Sequence, residues 1–141
     1  MNVGTVLSGL VQIKQWKGAI PMFRIDPQSR TPLYQQLYEE VVRLSSLGAL
    51  ADGERLPSVR QLAAALGVNP NTVQKAYQRL ELDGVLRSTA GVGSFVVREK
   101  ALEKSRGAAL EALRKAVQNA QEKGLSKEEI RKAVEDSIGG M

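Results

Sequence analysis

The stretch that decides the fold is "LPSVRQLAAALGVNPNTVQKAYQRLELDG", Leu56 to Gly84. Ser58 and Gln61 stand three residues apart at its start, a spacing at which a hydroxyl and an amide satisfy each other's orphaned backbone N–H groups. A helix is therefore expected from Ser58, with Val59, Leu62, Ala63 and Leu66 inward. It stops at Gly67, because glycine adopts the left-handed conformation that a helix end favours. The chain restarts at once: Asn69 caps, Pro70 takes the first helical position, and Val68 is placed to staple onto Val73. In this second helix Val73, Ala76, Tyr77 and Leu80 share one face. At about 100° per residue, Asn71, Gln74, Lys75 and Gln78 gather on the opposite one. Asp83 and Gly84 end it.

Reading upstream, Thr31 and Pro32 look like a cap followed by a first-position proline, and Leu33, Leu37, Val41 and Leu44 repeat at helical spacing up to Gly48. Downstream, "VLRSTAGVGSFVVR" reads as two short strands around a glycine-bearing turn. The expected fold class is mainly α with a small β wing: a winged helix-turn-helix domain over residues 22–98, then a short C-terminal helical hairpin over 99–141. In that tail Leu102, Ala109, Leu113, Val117 and Ala120 line one side of a helix, which Gly107 weakens in its middle. Gly124 ends it, Ser126 and Glu129 form a second capping box, and Leu125 can staple onto Ile130. Ile130, Val134 and Ile138 continue the apolar stripe. Two thin helices cannot bury such stripes between themselves completely, so another surface must cover them. Association of two tails into a homodimer is the preferred reading; packing back onto the first helix is the alternative.

Composition bounds the chemistry. At 141 residues, 43% hydrophobic and 25% charged, the chain can bury a core. A net charge of +5 favours acidic partners. There is no cysteine and no histidine, which excludes zinc sites of the usual ligands, thiol nucleophiles and imidazole catalysis. No cofactor or metal is expected, and the absence of cysteine fits a reducing cytoplasm among other compartments. The apolar run in residues 1–21 has no preceding basic cluster, and Ser8, Gln12 and Lys14 interrupt it, so it is neither an export signal nor a membrane span. Because Met22 stands directly before the module, residues 1–21 read as an optional extension or a misassigned start, or else as a short packing helix.

The combination of "G-x-RLPSVRQLA", "GVNPNTV" and "GVGSFV" resembles the DNA-binding domain of the GntR family of bacterial transcription regulators. The wording "NPNTVQKAY" and the short tail resemble its YtrA-like subfamily. The resemblance covers about half of the chain. It implies a cytoplasmic homodimer that binds double-stranded DNA at a two-fold symmetric operator, usually as a repressor, and often at genes for membrane transporters. It also implies DNA contacts at Arg55 and Arg60, around the start of the first helix of the motif.

The residues agree with that implication. A recognition helix uses its N-terminal turns on base edges, and those turns carry Asn69, Asn71, Thr72, Gln74 and Lys75, with Gln78 one turn on. Asparagine and glutamine can bond adenine through two atoms; lysine suits guanine acceptors or phosphate. The competing reading is a polar, solvated helix face. Ser58 is either a cap alone or also a phosphate neighbour, since free helix N-terminal amides attract anions. For the arginines the competitor is an ion pair with Glu54 or another acid. Gly91 and Gly93 at the wing tip either admit DNA backbone or serve only the turn.

Many relatives carry arginine where this chain has Pro70 and Gln74, so their operators cannot be transferred. From Arg24 to Arg98 nine basic residues face seven acidic ones, a balance of +2, so strong binding needs two copies. The tail of about 40 residues leaves no room for a large effector domain, so an unidentified small effector could sit only between helices or subunits. A protein-interaction adaptor is the alternative function. An enzyme finds no clustered nucleophile and base, phosphate loop or metal set to support it.

Overall fold

The computed structural model describes residues 5–7, 10–12 and 22–139. Three short strands come first: β1 (Thr5–Leu7), β2 (Leu10–Gln12) and β3 (Met22–Arg24), antiparallel in that order, with Val11 opposite Phe23. Where a short helix was one expectation for residues 1–21, the described part of that stretch is therefore extended; the rest of it, and whether it is a non-native extension, lies outside the described residues. The helices α1 (Leu33–Leu47), α2 (Val59–Leu66) and α3 (Pro70–Leu82) follow, then the hairpin β4 (Leu86–Thr89) and β5 (Gly93–Val96), and finally α4 (Arg98–Glu122) and α5 (Lys127–Gly139). This is the expected winged helix-turn-helix followed by two helices. Two compact units divide the chain, residues 1–105 and residues 106–141.

The core of the first unit is the set that periodicity picked out. Leu37, Val41 and Leu44 of α1, Leu62 and Ala63 of α2, and Val73, Ala76, Tyr77 and Leu80 of α3 are buried together with Phe23, Val85 and Val96. Leu33, Val59, Leu66 and Val68 are half-buried at its margin. One cap differs from expectation. Pro32, not Thr31, occupies the N-cap of α1 and offers no side-chain cap bond. Its carbonyl accepts from the amides of Gln35 and Gln36, both at 3.0 Å. The Thr31 carbonyl is taken instead by the buried Gln36 amide, which donates at 2.7 Å and also bonds the backbone of Asp26. A buried glutamine with three hydrogen bonds to two residues thus ties the incoming chain to α1.

Three backbone hydrogen bonds tie the segment Gly53–Leu56 to β5, with an isolated antiparallel bridge between Arg55 and Phe95. Gly53 donates to Val96, Leu56 to Ser94, and Val96 to Glu54, at 2.7–2.9 Å. The wing is therefore stitched to the residues that open α2. At the far end of the unit, Asp52 accepts from the Arg98 amide at 3.0 Å, and the Arg98 guanidinium donates to the Ser45 and Ser46 carbonyls in the last turn of α1. Ala101 is fully buried there, so the first turn of α4 does pack onto α1.

In the second unit the Ser126–Glu129 capping box forms at both bonds, 2.7 and 3.1 Å. The Glu129 carboxyl is held below the usual range, first because it accepts from the Ser126 backbone amide and second because the Ser126 hydroxyl lies beside it. Of the apolar stripe, Val117, Ala120, Ile130 and Val134 are half-exposed, while Leu102, Ala109, Leu113 and Ile138 are exposed.

Candidate nucleic-acid interface

The two helices of the motif are built as their caps dictate. Ser58 Oγ accepts from the Gln61 amide at 3.1 Å, and Gln61 Oε1 accepts from the Ser58 amide at 2.9 Å. Gly67 closes α2 at φ +69°, a conformation that costs a side-chain-bearing residue about 1–2 kcal/mol. Asn69 Oδ1 accepts from the Asn71 amide at 2.8 Å, with Pro70 at the first position of α3. The capping oxygen of Asn69 is thus spent within the turn. Tyr77 holds the motif from inside: its buried hydroxyl donates to the Pro57 carbonyl at 2.6 Å, and burial pushes its phenol well above the ordinary range.

Outward from that scaffold the polar ridge is present. Asn71, Gln74, Lys75 and Gln78 are exposed and Thr72 is half-buried beside them. The amide groups of Asn71, Gln74 and Gln78 have no intrachain partner among the described residues. Lys75 differs: its ammonium lies over the ring of Tyr34 in α1, 3.9 Å from the centroid. Below it, Arg79 approaches the Tyr38 ring at 5.9 Å and Asp83 at 3.8 Å. The Tyr38 hydroxyl donates to that same Asp83 at 2.5 Å; burial first, then the Asp83 bond and charge, raise its pKa. The i, i+4 spacing of Tyr34 and Tyr38 in α1 is the sequence signal for this arrangement.

Around the ridge, Arg60 is exposed in the first turn of α2 with no intrachain partner among the described residues. Arg55 is exposed and lies along the wing, paired with Phe95 through its backbone. Its side chain crosses Gly93, where an added Cβ would stand 2.7 Å from Arg55 Nε and 3.3 Å from Cγ and Cδ. Gly93 thus makes room for Arg55, beyond serving the turn or admitting DNA backbone. Gly91 sits at φ +75° in the exposed turn with nothing near its missing side chain. Arg87 of β4, passed over in the sequence, is a further exposed cation without a partner among the described residues; strand alternation was its only signal.

Elsewhere in the first unit an open cavity of about 450 Å³ lies among Gly53, Arg87, Val97 and Leu102. Among the described residues there is no group of histidine, cysteine and acidic residues that could hold a metal, and no helix long and apolar enough to cross a membrane.

Residues 33–96, from the start of α1 to the end of the wing, match the family described as bacterial regulatory proteins, gntR family. The GntR-family transcription factor YtrA from Sulfolobus acidocaldarius is 36% identical, with a TM-score of 0.53, over 64% of this chain and 96% of that one. The chain belongs to the GntR family. A structure of a transcriptional regulator from Oenococcus oeni aligns over 81% of this GntR protein and 97% of its own chain, with 29% identity and a TM-score of 0.72. The HTH-type transcriptional repressor YtrA of Bacillus subtilis is 43% identical over 75 residues, 53% of this chain. That match spans only 58% of the repressor's length. These similarities make the chain a YtrA-like GntR protein and a DNA-binding transcriptional regulator, not an enzyme.

Proposed function

We propose that this GntR protein is a homodimeric repressor of a small operon in the bacterial cytoplasm, and that it grips a two-fold symmetric operator with the N-terminal turns of α3 in the major groove. The observation that carries the reading is the ridge of unengaged amides at Asn71, Gln74 and Gln78, backed by a fully buried face. Each is suited to a bidentate bond with adenine, and each good base contact contributes about 1–3 kcal/mol of discrimination. Arg60 and the first amides of α2 beside Ser58 suit one phosphate, and Arg55 suits another at the base of the wing. Asn69 and Thr72 border the groove edge, while Gly91 lets the wing tip approach the DNA backbone.

Two copies are needed because one domain carries a balance of only +2 over residues 24–98. The exposed apolar stripe through Leu102, Ala109, Leu113, Val117, Ala120, Ile130, Val134 and Ile138 supports pairing of the tails. The name of the Bacillus subtilis relative supports repression.

The test is selection of bound fragments from the source genome, followed by footprinting at two salt concentrations. Gln74→Ala should change the preferred base at one position of each half-site. Arg55→Ala should weaken all sequences alike and lower the salt slope by about one. Binding that is indifferent to both sequence and salt refutes the proposal, as does an identical effect of the two substitutions.

A further inference from the structure

Where α1 and α3 cross, two rungs of like chemistry are stacked. α1 presents Tyr34 and Tyr38 and α3 presents Lys75 and Arg79, each pair one helical turn apart. Lys75 lies on the first ring and Arg79 on the second, and Arg79 is further occupied by Asp83. Both basic side chains of α3 are therefore turned toward α1. At 100° per residue, Lys75 projects only about 40° from Asn71 around the helix, and Gln78 about 20° on the other side. By position alone the lysine belongs to the ridge; its ammonium is drawn off it.

We propose that Tyr34 is a specificity-determining residue for operator reading: by holding Lys75 on its ring it keeps a mobile positive charge off the ridge. Readout is left to the amides of Asn71, Gln74 and Gln78, which suits half-sites containing adenine. The inference rests on the DNA-reading role proposed above. Its physical content is the difference between a point charge and an amide. A lysine free to swing across the groove reaches phosphate on any sequence and raises affinity for all DNA alike. An amide contributes little to phosphate binding but distinguishes bases by donor and acceptor pattern. Tyr34 is able to act as the fixed partner because it is half-buried against the core, whereas the lysine stem is exposed and flexible. An exposed cation–aromatic pair biases such a side chain about two- to five-fold.

The experiment uses the full chain, its selected operator and a random-sequence duplex of equal length, titrated at several salt concentrations. Tyr34→Leu should tighten binding to the random duplex about two- to five-fold. It should steepen the dependence of log K on log salt by about one and lower the operator preference accordingly. Tyr34→Phe keeps the ring face and should match the parent. In Tyr34→Leu with Lys75→Gln the gain should vanish. The inference is overturned if the parent prefers its operator yet Tyr34→Leu changes neither slope nor preference, or if the gain persists without the lysine. Should Tyr34→Leu fail to fold, Lys75→Gln alone decides: an unchanged slope agrees with a lysine held off DNA, and a slope shallower by about one overturns it. A parent with no sequence preference at all defeats the DNA-reading role itself, a distinct outcome.

Discussion

Gly93→Ala offers a sharp test of how the wing supports the interface. The φ of +143° lies where residues with a side chain rarely go, and holding alanine there costs on the order of 1–3 kcal/mol. The new methyl would also stand 2.7 Å from Arg55 Nε, so the arginine must leave its course along β5. Gly91→Ala is the control in the same turn. At φ +75°, with no atom within 4 Å, it carries a backbone cost of about 1–2 kcal/mol and displaces nothing. Both variants should lose thermal stability, on the order of 4–8 °C for each kcal/mol in a domain of this size. Only Gly93→Ala should lower the salt slope of DNA binding, by up to about one, because only it moves a charge. Measured by salt-dependent binding well below both melting temperatures, Gly93→Ala should add little to Arg55→Ala in a double-mutant cycle. Fully additive losses, or an equal drop in slope for Gly91→Ala, would refute the reasoning that Gly93 works through Arg55.

Tyr77→Phe should leave the Pro57 carbonyl unpaired and lower the urea midpoint by the equivalent of about 1–2 kcal/mol at constant m value; an unchanged midpoint contradicts this. Since the folded state raises the Tyr77 pKa, the stability it lends is complete below about pH 10 and lost as pH rises, so Tyr77→Phe should flatten the alkaline fall. Ser126→Ala keeps the backbone amide that chiefly lowers the Glu129 pKa and removes only the hydroxyl, so carboxyl NMR titration should show a partial return toward the ordinary value; no movement would show that the hydroxyl contributes nothing. Leu113→Glu in the exposed tail stripe should shift sedimentation toward the monomer and weaken binding to a paired operator far more than to a single half-site; an unaltered mass would remove Leu113 from the pairing surface.

The elements that were legible share one property: their cause is local. The Ser58–Gln61 box, the stop at Gly67, the Asn69–Pro70 restart and the buried face of Val73, Ala76, Tyr77 and Leu80 each follow from bonds or periodicity within a few residues. The amides of the ridge follow as well, since what the core does not bury on a short helix must face outward. Missing were features that leave no cap or apolar period in the sequence. Thr31 reads as a cap, but Pro32 holds that position and the Gln36 side chain bonds the Thr31 carbonyl; β1 and β2 were hidden because three-residue strands carry almost no periodic signal.

Sequence by itself determined the helix-turn-helix, the wing, the family motifs and the set of candidate DNA contacts, because caps, turns and apolar spacing act through the nearest neighbours. Tertiary structure alone decided where the long charged side chains go. Lysine and arginine stems span several ångströms, so their ends are placed by whichever ring or backbone the fold brings near: Lys75 to Tyr34, Arg79 to Tyr38, Arg55 across Gly93.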